Sequence, residues 1–229
     1  MNNSGLGVTM DLPGDLRLLD RSSTADRVAQ VLRARIAAGE LPPGTRLSER
    51  ALTDGLGVSR NTLREAFRLL AHEHLLRYEL HHGVHVRQLS SADVTDIYRV
   101  RRALECAGVR AAAGSTGGQG EVLEAVGAGE LAAAAGDWAA VGTADISFHR
   151  AVAGLAGSAR IDRHMDVVLA ELRLAFLEMA DPRAFHEPYL RRNRVIADLL
   201  TAGDLAGAET ELLGYLDAAE HQILSRMSG

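Results

Sequence analysis

The segment SERALTDGLGVSRNTLREAFRLLAHEH, residues 48–74, carries the strongest structural signal in the chain. Ser48 and Ser59 each precede a run of helix-forming residues, where a serine side chain accepts a hydrogen bond from the first helical turn. Gly55 and Gly57 lie between the two runs and predict a tight break. The segment therefore predicts two short helices joined by a turn, the arrangement of a helix-turn-helix motif.

The second predicted helix has one apolar face and one polar, basic face. The apolar face is formed by Leu63, Ala66, Phe67 and Leu70. The outer face of its first turns carries Arg60, Asn61, Thr62 and Arg64. In helix-turn-helix proteins this end of the helix reaches base edges in the major groove, where arginine recognises guanine and asparagine recognises adenine. The pattern favours binding of double-stranded DNA.

The flanking segments complete a winged helix. Residues 24–38 predict a helix, and residues 75–80 and 84–89 predict two short strands. The strands are separated by His81, His82 and Gly83, so they predict a hairpin whose tip can approach a DNA groove. The alternative for this histidine-rich tip is a metal site, which its placement in a turn and strand disfavours.

The remaining residues have a helical pattern and predict an antiparallel bundle, so the fold class is mainly α. The predicted helices span residues 91–113, 121–134, 137–156, 158–181, 184–202 and 204–226. A Gly-rich loop, residues 114–120, divides the first two. We expect a flexible tail at 1–20, a winged helix-turn-helix domain at 21–88 and a helical domain at 89–229.

Composition narrows the class of protein. The chain has 229 residues, of which 47% are hydrophobic, enough for well-packed cores. The sequence contains no run near the roughly 18 apolar residues of a membrane helix and begins without a signal-peptide pattern, so we expect a cytoplasmic protein with no membrane partner. Its single cysteine, Cys106, excludes an internal disulfide and a zinc ribbon.

Charge is divided unevenly along the chain. The formal net charge is −5, but residues 21–88 carry 11 Arg against 7 acidic residues, a charge of +4. A basic first third joined to an acidic remainder is typical of a nucleic-acid-binding module attached to a second domain. Aromatic residues make up only 4%, which disfavours recognition by base stacking.

In the order of its motifs, the chain resembles a known family. Residues 24–88, with GELPPGTRLSERAL followed by GLGVSRNTLREAFRLL and a glycine-tipped wing, resemble the DNA-binding domain of the GntR family of bacterial transcription regulators. The remainder resembles the FCD domain, the helical effector-binding and dimerising domain of the FadR-like branch. The FCD resemblance rests on Arg101-x-x-Leu104-Glu105, Asp145-x-x-Phe148-His149 and Gly203-Asp204-x-x-x-Ala208.

The resemblance implies a homodimer that binds a palindromic operator and responds to a small-molecule effector. It places the DNA contacts on Arg50, Ser59, Arg60, Asn61, Thr62, Arg64, His82 and Gly83. The family commonly has proline where this chain has Thr62, a difference that the first helical turn tolerates.

The resemblance also implies a ligand site inside the bundle. In many FCD domains an Asp, a His four residues later and two further His bind a divalent metal. Asp145 and His149 match the first pair, whereas the two remaining positions are Asn193 and Tyr215, which are weak ligands. A divalent zinc, nickel or manganese ion is therefore one alternative; the others are a metal-free pocket, or a remnant in which Asp145 and His149 bond each other.

Arg101 is the candidate for binding the carboxylate of an organic-acid effector. The alternative is that Arg101 forms an ion pair between or along helices. We expect Arg101, Asp145, His149, Asn193 and Tyr215 to form the effector site.

The resemblance implies a transcription regulator and not an enzyme. Repressors are the commoner kind of regulator in this family, so we expect a repressor. A hydrolytic site built from Asp145, Ser147 and His149 is disfavoured because positions 145 and 147 point to different sides of a helix. The remaining alternative is a constitutive DNA-binding regulator that has lost effector and metal sensing.

Overall fold

The computed structural model describes residues 23–114 and 118–227, and its N-terminal part is a winged helix-turn-helix. This part contains α1 (Thr24–Ala37), β1 (Arg46–Leu47), α2 (Glu49–Leu56), α3 (Arg60–His72), β2 (Leu76–Glu79) and β3 (Gly83–Val86). The predicted flexible tail, residues 1–20, and residues 115–117 of the predicted loop lie outside the described residues.

The turn between α2 and α3 forms as the sequence predicts. The Ser48 side chain accepts from the Ala51 N–H, and the Ser59 side chain accepts from the Thr62 N–H. Gly57 ends α2 with φ of 64°, a left-handed conformation that glycine adopts without steric cost. The two caps and this glycine fix the angle at which α3 leaves the turn.

The wing is an antiparallel hairpin within a three-stranded sheet of order β1-β3-β2. Tyr78 pairs with Val84 and Glu79 with Gly83, so the hairpin closes on residues 80–82. The predicted strands are each longer than observed. The strand β1, in which Arg46 pairs with His85, has only two residues and was not predicted.

The C-terminal part is a bundle of six helices among the described residues, as predicted. They are α4 (Ser91–Ala111), α5 (Gln119–Ala134), α6 (Trp138–Gly154), α7 (Ala159–Leu177), α8 (Pro182–Ala202) and α9 (Leu205–Met227). The predicted boundary at 181–184 is wrong by a few residues. The Asp181 side chain caps α8 by accepting from the Ala184 N–H, which starts that helix at Pro182.

The two parts pack against each other through α1, the loop after β3 and α7. Arg87 bonds both Asp93 and Glu171, and Arg173 Nε donates to the carbonyl oxygen of Ala37 at the end of α1, at 3.1 Å. The N-terminal part is therefore held to the bundle by side chains of α4 and α7. Among the described residues, no helix has the length and apolarity needed to cross a membrane.

Candidate nucleic-acid interface and effector site

The recognition helix α3 is anchored by a buried apolar face. Leu63, Phe67 and Leu70 are fully buried, whereas Arg60 and Asn61 at its N-terminal end are exposed. The buried face orients the helix, and the exposed end presents one guanidinium and one amide to the surroundings. These are the groups that pair with guanine and adenine in a major groove.

The arginines predicted to contact DNA differ in whether they already form an ion pair within the protein. Arg64 Nε lies 3.2 Å from Glu49 Oε1 of α2, and Arg50 Nε lies 3.8 Å from Asp54 Oδ2. Arg60 forms no ion pair with any described residue. Because exposed ion pairs contribute little to stability, a phosphate can replace the acidic partners of Arg50 and Arg64, whereas Arg60 is available without such an exchange.

Ser59 and Thr62 bond each other at the start of α3. Thr62 N–H donates to Ser59 Oγ at 3.1 Å, and the two hydroxyl oxygens are 2.9 Å apart. A proline at position 62 has no N–H and cannot make the first of these bonds. The two hydroxyl groups thus stabilise the helix start, and their contact with DNA stays a prediction.

The tip of the wing has the backbone of a tight turn. His81 has φ of 63° and Gly83 has φ of 92°. His82 is exposed, and the Leu80 side chain is 82% exposed at the same tip. Arg46, which was not among the predicted contacts, adds a positive charge beside the wing, because its Nε would lie 3.6 Å from a Cβ at Gly83.

In the helical bundle, Asp145 of α6 accepts hydrogen bonds from Asn193 and Tyr215, the two residues that stand where many FCD domains have metal-binding histidines. Asn193 Nδ2 of α8 donates to Asp145 Oδ1 at 2.8 Å, and Tyr215 Oη of α9 donates to the same oxygen at 2.8 Å. All three side chains are buried. Three of the five predicted effector residues are therefore in direct contact.

The other two predicted residues meet through Glu105 of α4, which the sequence analysis quoted in a motif but did not include in the site. Arg101 Nε donates to Glu105 Oε1 at 2.8 Å, and His149 Nδ1 lies 2.7 Å from Glu105 Oε2. Arg101 thus has the ion pair considered as its alternative role. His149 Nε2 is 3.8 Å from Asp145 Oδ1, so the alternative of a direct bond between Asp145 and His149 is wrong.

Burial and neighbouring charges compete in this cluster. Burial raises the pKa of Asp145, but its polar neighbours lower that pKa by a larger amount, so it lies below its ordinary value. These neighbours are His149, His186, Asn193 and Tyr215. Glu105 behaves alike: burial raises its pKa, and Arg101 and His149 bring it below the ordinary value. Both carboxyl groups are therefore held as carboxylates inside the bundle.

These residues do not fit a divalent metal ion. The Asn193 amide and the Tyr215 hydroxyl, which stand at two of the four ligand positions, both donate hydrogens to Asp145 Oδ1 instead of offering lone pairs to a shared cation. Burial raises the pKa of Tyr215 well above its ordinary value, so a phenolate ligand is not available. Among residues 23–114 and 118–227, no group of three or more His, Cys, Asp or Glu side chains is arranged to hold a metal. Hydrogen bonds from the protein stabilise the Asp145 carboxylate in the way that a cation would.

His186 of α8 is a further member of the cluster that sequence reasoning left unplaced. It is buried, and burial lowers its pKa by more than the neighbouring Asp145 carboxylate raises it. A small cavity of about 10 Å³ is lined by Asp145, His186 and Asn193 among others. His186 precedes Asn193 by seven residues, which is two helical turns, so this spacing was the signal that places both on one face.

Several buried polar atoms of this cluster make no hydrogen bond with the described part of the chain. They are Arg101 Nη2, His149 Nε2, His186 Nδ1 and Asn193 Oδ1. Buried polar groups in folded proteins almost always have a partner, so four exceptions in one buried cluster, two of them on residues that line the small cavity, mark a place where a ligand or water completes the bonding.

Comparison with known proteins agrees with the two parts of the fold. Residues 24–86 match the model of the "Bacterial regulatory proteins, gntR family", and residues 96–218 match the FCD domain. A probable D-xylose utilization operon transcriptional repressor of Paenarthrobacter nicotinovorans is 33% identical over 208 residues, which are 89% of this chain and 92% of that protein. The gluconate operon transcriptional repressor of Bacillus subtilis is 40% identical over 95 residues, 42% of this chain and 39% of that protein.

Solved structures show the same similarity. A putative transcriptional regulator GntR from Rhodococcus sp. RHA1 has a TM-score of 0.85 and 46% identity, covering 89% of this chain and 99% of that one. E. coli McbR/YncC has a TM-score of 0.75 at 20% identity, covering 91% of this chain and 100% of that one, which is a likeness of fold alone. The two repressors and the Rhodococcus protein are all named as transcription regulators, not as enzymes.

Proposed function

Because the chain belongs to the GntR family of bacterial regulatory proteins and carries an FCD domain, we propose that it is a cytoplasmic, homodimeric repressor whose operator binding is controlled by a small organic acid. Two winged helices related by a two-fold axis bind a palindromic operator, since the symmetry of the protein is matched by that of the site. Similarity to repressors of sugar-utilisation and gluconate operons supports the sign of regulation.

We assign base contacts to Arg60 and Asn61, which are exposed and lie at the start of α3. Arg50, Ser59, Thr62 and Arg64 position the helix on the backbone, and His82 and Gly83 bring the wing to the groove. In this proposal only Arg60 and Asn61 recognise the base sequence, because phosphate contacts fix the position of the protein on the duplex and carry no base information.

The effector proposal rests on one observation, the four unpartnered polar atoms of the buried cluster that contains Asp145. Arg101 Nη2 is a donor that a carboxylate of the effector accepts from, whereas Asn193 Oδ1 is an acceptor that a hydroxyl donates to. A hydroxylated organic acid supplies both groups. The effector site needs no metal, since Asn193 and Tyr215 already donate to the carboxylate.

Entry of an effector has to change the bundle. The cavity beside Asp145 has a volume of about 10 Å³, room for about one water molecule. An organic acid is larger, so it binds only when α8 and α9 move away from α6. That movement is the step that links the effector to the DNA-binding part, and the linkage is reciprocal.

The test is the operator affinity of the full chain in the presence of organic acids. A palindromic site is selected from random duplexes, and its Kd is measured with a panel of hydroxy and sugar acids that includes gluconate, and with xylose as a neutral sugar. We expect at least one compound to raise the operator Kd by about 5- to 150-fold, the usual size of allosteric coupling. Tyr215→Phe removes one hydroxyl from the site and is expected to raise the effector concentration required without changing the Kd of the free protein.

Arg99→Met provides a control, because Arg99 is an exposed arginine on α4 that pairs with Asp96 away from the cluster. A panel without any effect on operator Kd, together with equal behaviour of Tyr215→Phe and the unmodified chain, would support the second candidate function, a constitutive DNA-binding regulator.

A further inference from the structure

A second, larger cavity of about 390 Å³ lies where the DNA-binding part meets the helical bundle. Its apolar wall is supplied by both parts: Ile36 of α1 and Leu75 before β2 on one side, Ile146 of α6 and Leu169 of α7 on the other. It shares no lining residue with the small cavity beside Asp145. Its volume lies within the range of small-molecule sites, near the lower end.

Three arginines line this cavity, and two of them are neutralised. Arg33 donates to both oxygens of Glu73 at 2.7 and 2.6 Å. Arg150 Nε lies 2.7 Å from Asp166 Oδ1. These two ion pairs add no net charge to the cavity.

Arg173 has no carboxylate partner within the part of the chain that the structure describes. Its Nε donates to the Ala37 carbonyl oxygen, and its two terminal nitrogens make no hydrogen bond with described residues. Burial lowers its pKa, which reflects the cost of this unpaired charge. The C-terminal end of α1 offers only a partial negative charge, so about half a positive charge remains unbalanced.

We propose that this interdomain cavity binds a hydrophobic monocarboxylate. The ligand carboxylate accepts hydrogen bonds from the terminal nitrogens of Arg173, in the bidentate geometry that guanidinium groups favour. The apolar body of the ligand lies against Ile36, Ile146 and Leu169. One negative charge matches the one unpaired arginine, which selects monoanions over dicarboxylates and sugar phosphates.

A ligand in this cavity contacts both parts of the protein at once. It touches the C-terminal end of α1 and the facing sides of α6 and α7, and Arg173 itself spans the junction through its bond to Ala37. Its binding therefore alters how the winged helix sits on the bundle. The consequence for operator affinity rests on the proposed function, whereas binding itself does not.

Isothermal titration calorimetry of the full chain without DNA tests the site directly. The probes are hexanoate, octanoate and phenylacetate, with octanol as the uncharged counterpart of octanoate. We expect at least one carboxylate to bind once per chain, and octanol to bind at least tenfold more weakly than octanoate. Arg173→Met is expected to weaken carboxylate binding at least tenfold.

Two further variants separate binding from folding. Ala170→Phe fills the cavity from α7 and is expected to abolish binding while Arg173 stays in place. Arg163→Met, an exposed position ten residues earlier on the same helix, is the matched control and is expected to bind as the unmodified chain does. Far-ultraviolet circular dichroism checks that each variant is folded.

The proposal is overturned if none of the three carboxylates binds, if octanol binds as tightly as octanoate, or if folded Ala170→Phe binds unchanged. Operator Kd is measured separately with and without the bound carboxylate. If a carboxylate binds as described but the protein shows no operator specificity, the ligand site stands and only the proposed function is refuted.

Discussion

Replacement of Gly108 by alanine tests how the bundle builds its buried cluster. Gly108 of α4 crosses α6 so closely that a Cβ would lie 3.0 Å from Ala153 Cα and closer still to the Val152 carbonyl oxygen. Both contacts are with backbone, which has no alternative rotamer to adopt. One turn earlier on each helix, the same crossing brings Glu105 Oε2 within 2.7 Å of His149 Nδ1. The close crossing and the buried bond therefore depend on each other.

Three terms give the expected size of the effect. Overpacking costs about 1–3 kcal/mol. Separation of the helices also lengthens the Glu105–His149 bond, and a hydrogen bond to a charged group contributes about 1.5–3 kcal/mol. Alanine offsets about 1 kcal/mol because it favours a helix more than glycine does. Gly108→Ala is thus expected to lower the free energy of unfolding by about 3 kcal/mol.

The assay is urea unfolding followed by circular dichroism, at one protein concentration because the stability of the proposed dimer would depend on concentration. Gly127→Ala is the matched control, since Gly127 lies inside α5 and a Cβ there meets nothing within 4 Å. That control is expected to gain up to about 1 kcal/mol. A Gly108→Ala variant as stable as the unmodified chain would refute the reasoning.

Further predictions concern metal binding and pH. Elemental analysis of the untagged chain is expected to find well below one zinc, nickel or manganese ion per chain. The double variant Asn193→His/Tyr215→His is expected to contain about one. One metal ion in the unmodified chain that is lost in Asp145→Ala would contradict a metal-free site. Burial lowers the pKa of His186 below its ordinary 6.5, so the unfolded state takes up a proton first as the pH falls through 6.5. The free energy of unfolding should therefore fall below pH 6.5, by up to about 1.4 kcal/mol per pH unit from this group, and less steeply in His186→Gln. Equal slopes in both proteins, with His221→Gln as the exposed control, would count against a buried neutral His186.

Local signals explain why the sequence predicted most of the fold. Ser48 and Ser59 both cap helices where they were expected to, because a cap needs only the serine and the turn that follows it. The strand β1 escaped prediction because two residues carry no alternating pattern, and only pairing with β3 makes them a strand.

The candidate effector site depended on tertiary contacts that spacing does not encode. The four-residue interval from Asp145 to His149 correctly predicted one helix face, but not that Glu105 of another helix would take the His149 bond. Asn193 and Tyr215 were recognisable as poor metal ligands, whereas their role as donors to Asp145 follows only from the packing of α8 and α9 against α6.

The interdomain cavity was not predictable for a similar reason. Arg173 is one arginine among many in the sequence, and its lack of a carboxylate partner appears only when α7 is packed against the end of α1.

The most direct test of the account is the ratio of two dissociation constants, for the selected palindromic operator and for a scrambled duplex of equal length, at one salt concentration. We predict that the full chain binds the operator at least about 10³-fold more tightly, as specific DNA-binding proteins do. Arg60→Ala should lower this ratio about tenfold or more through loss of a base contact, while the exposed Arg163→Ala leaves it unchanged. Equal affinity for the two duplexes, or an unchanged ratio in Arg60→Ala, would contradict the account.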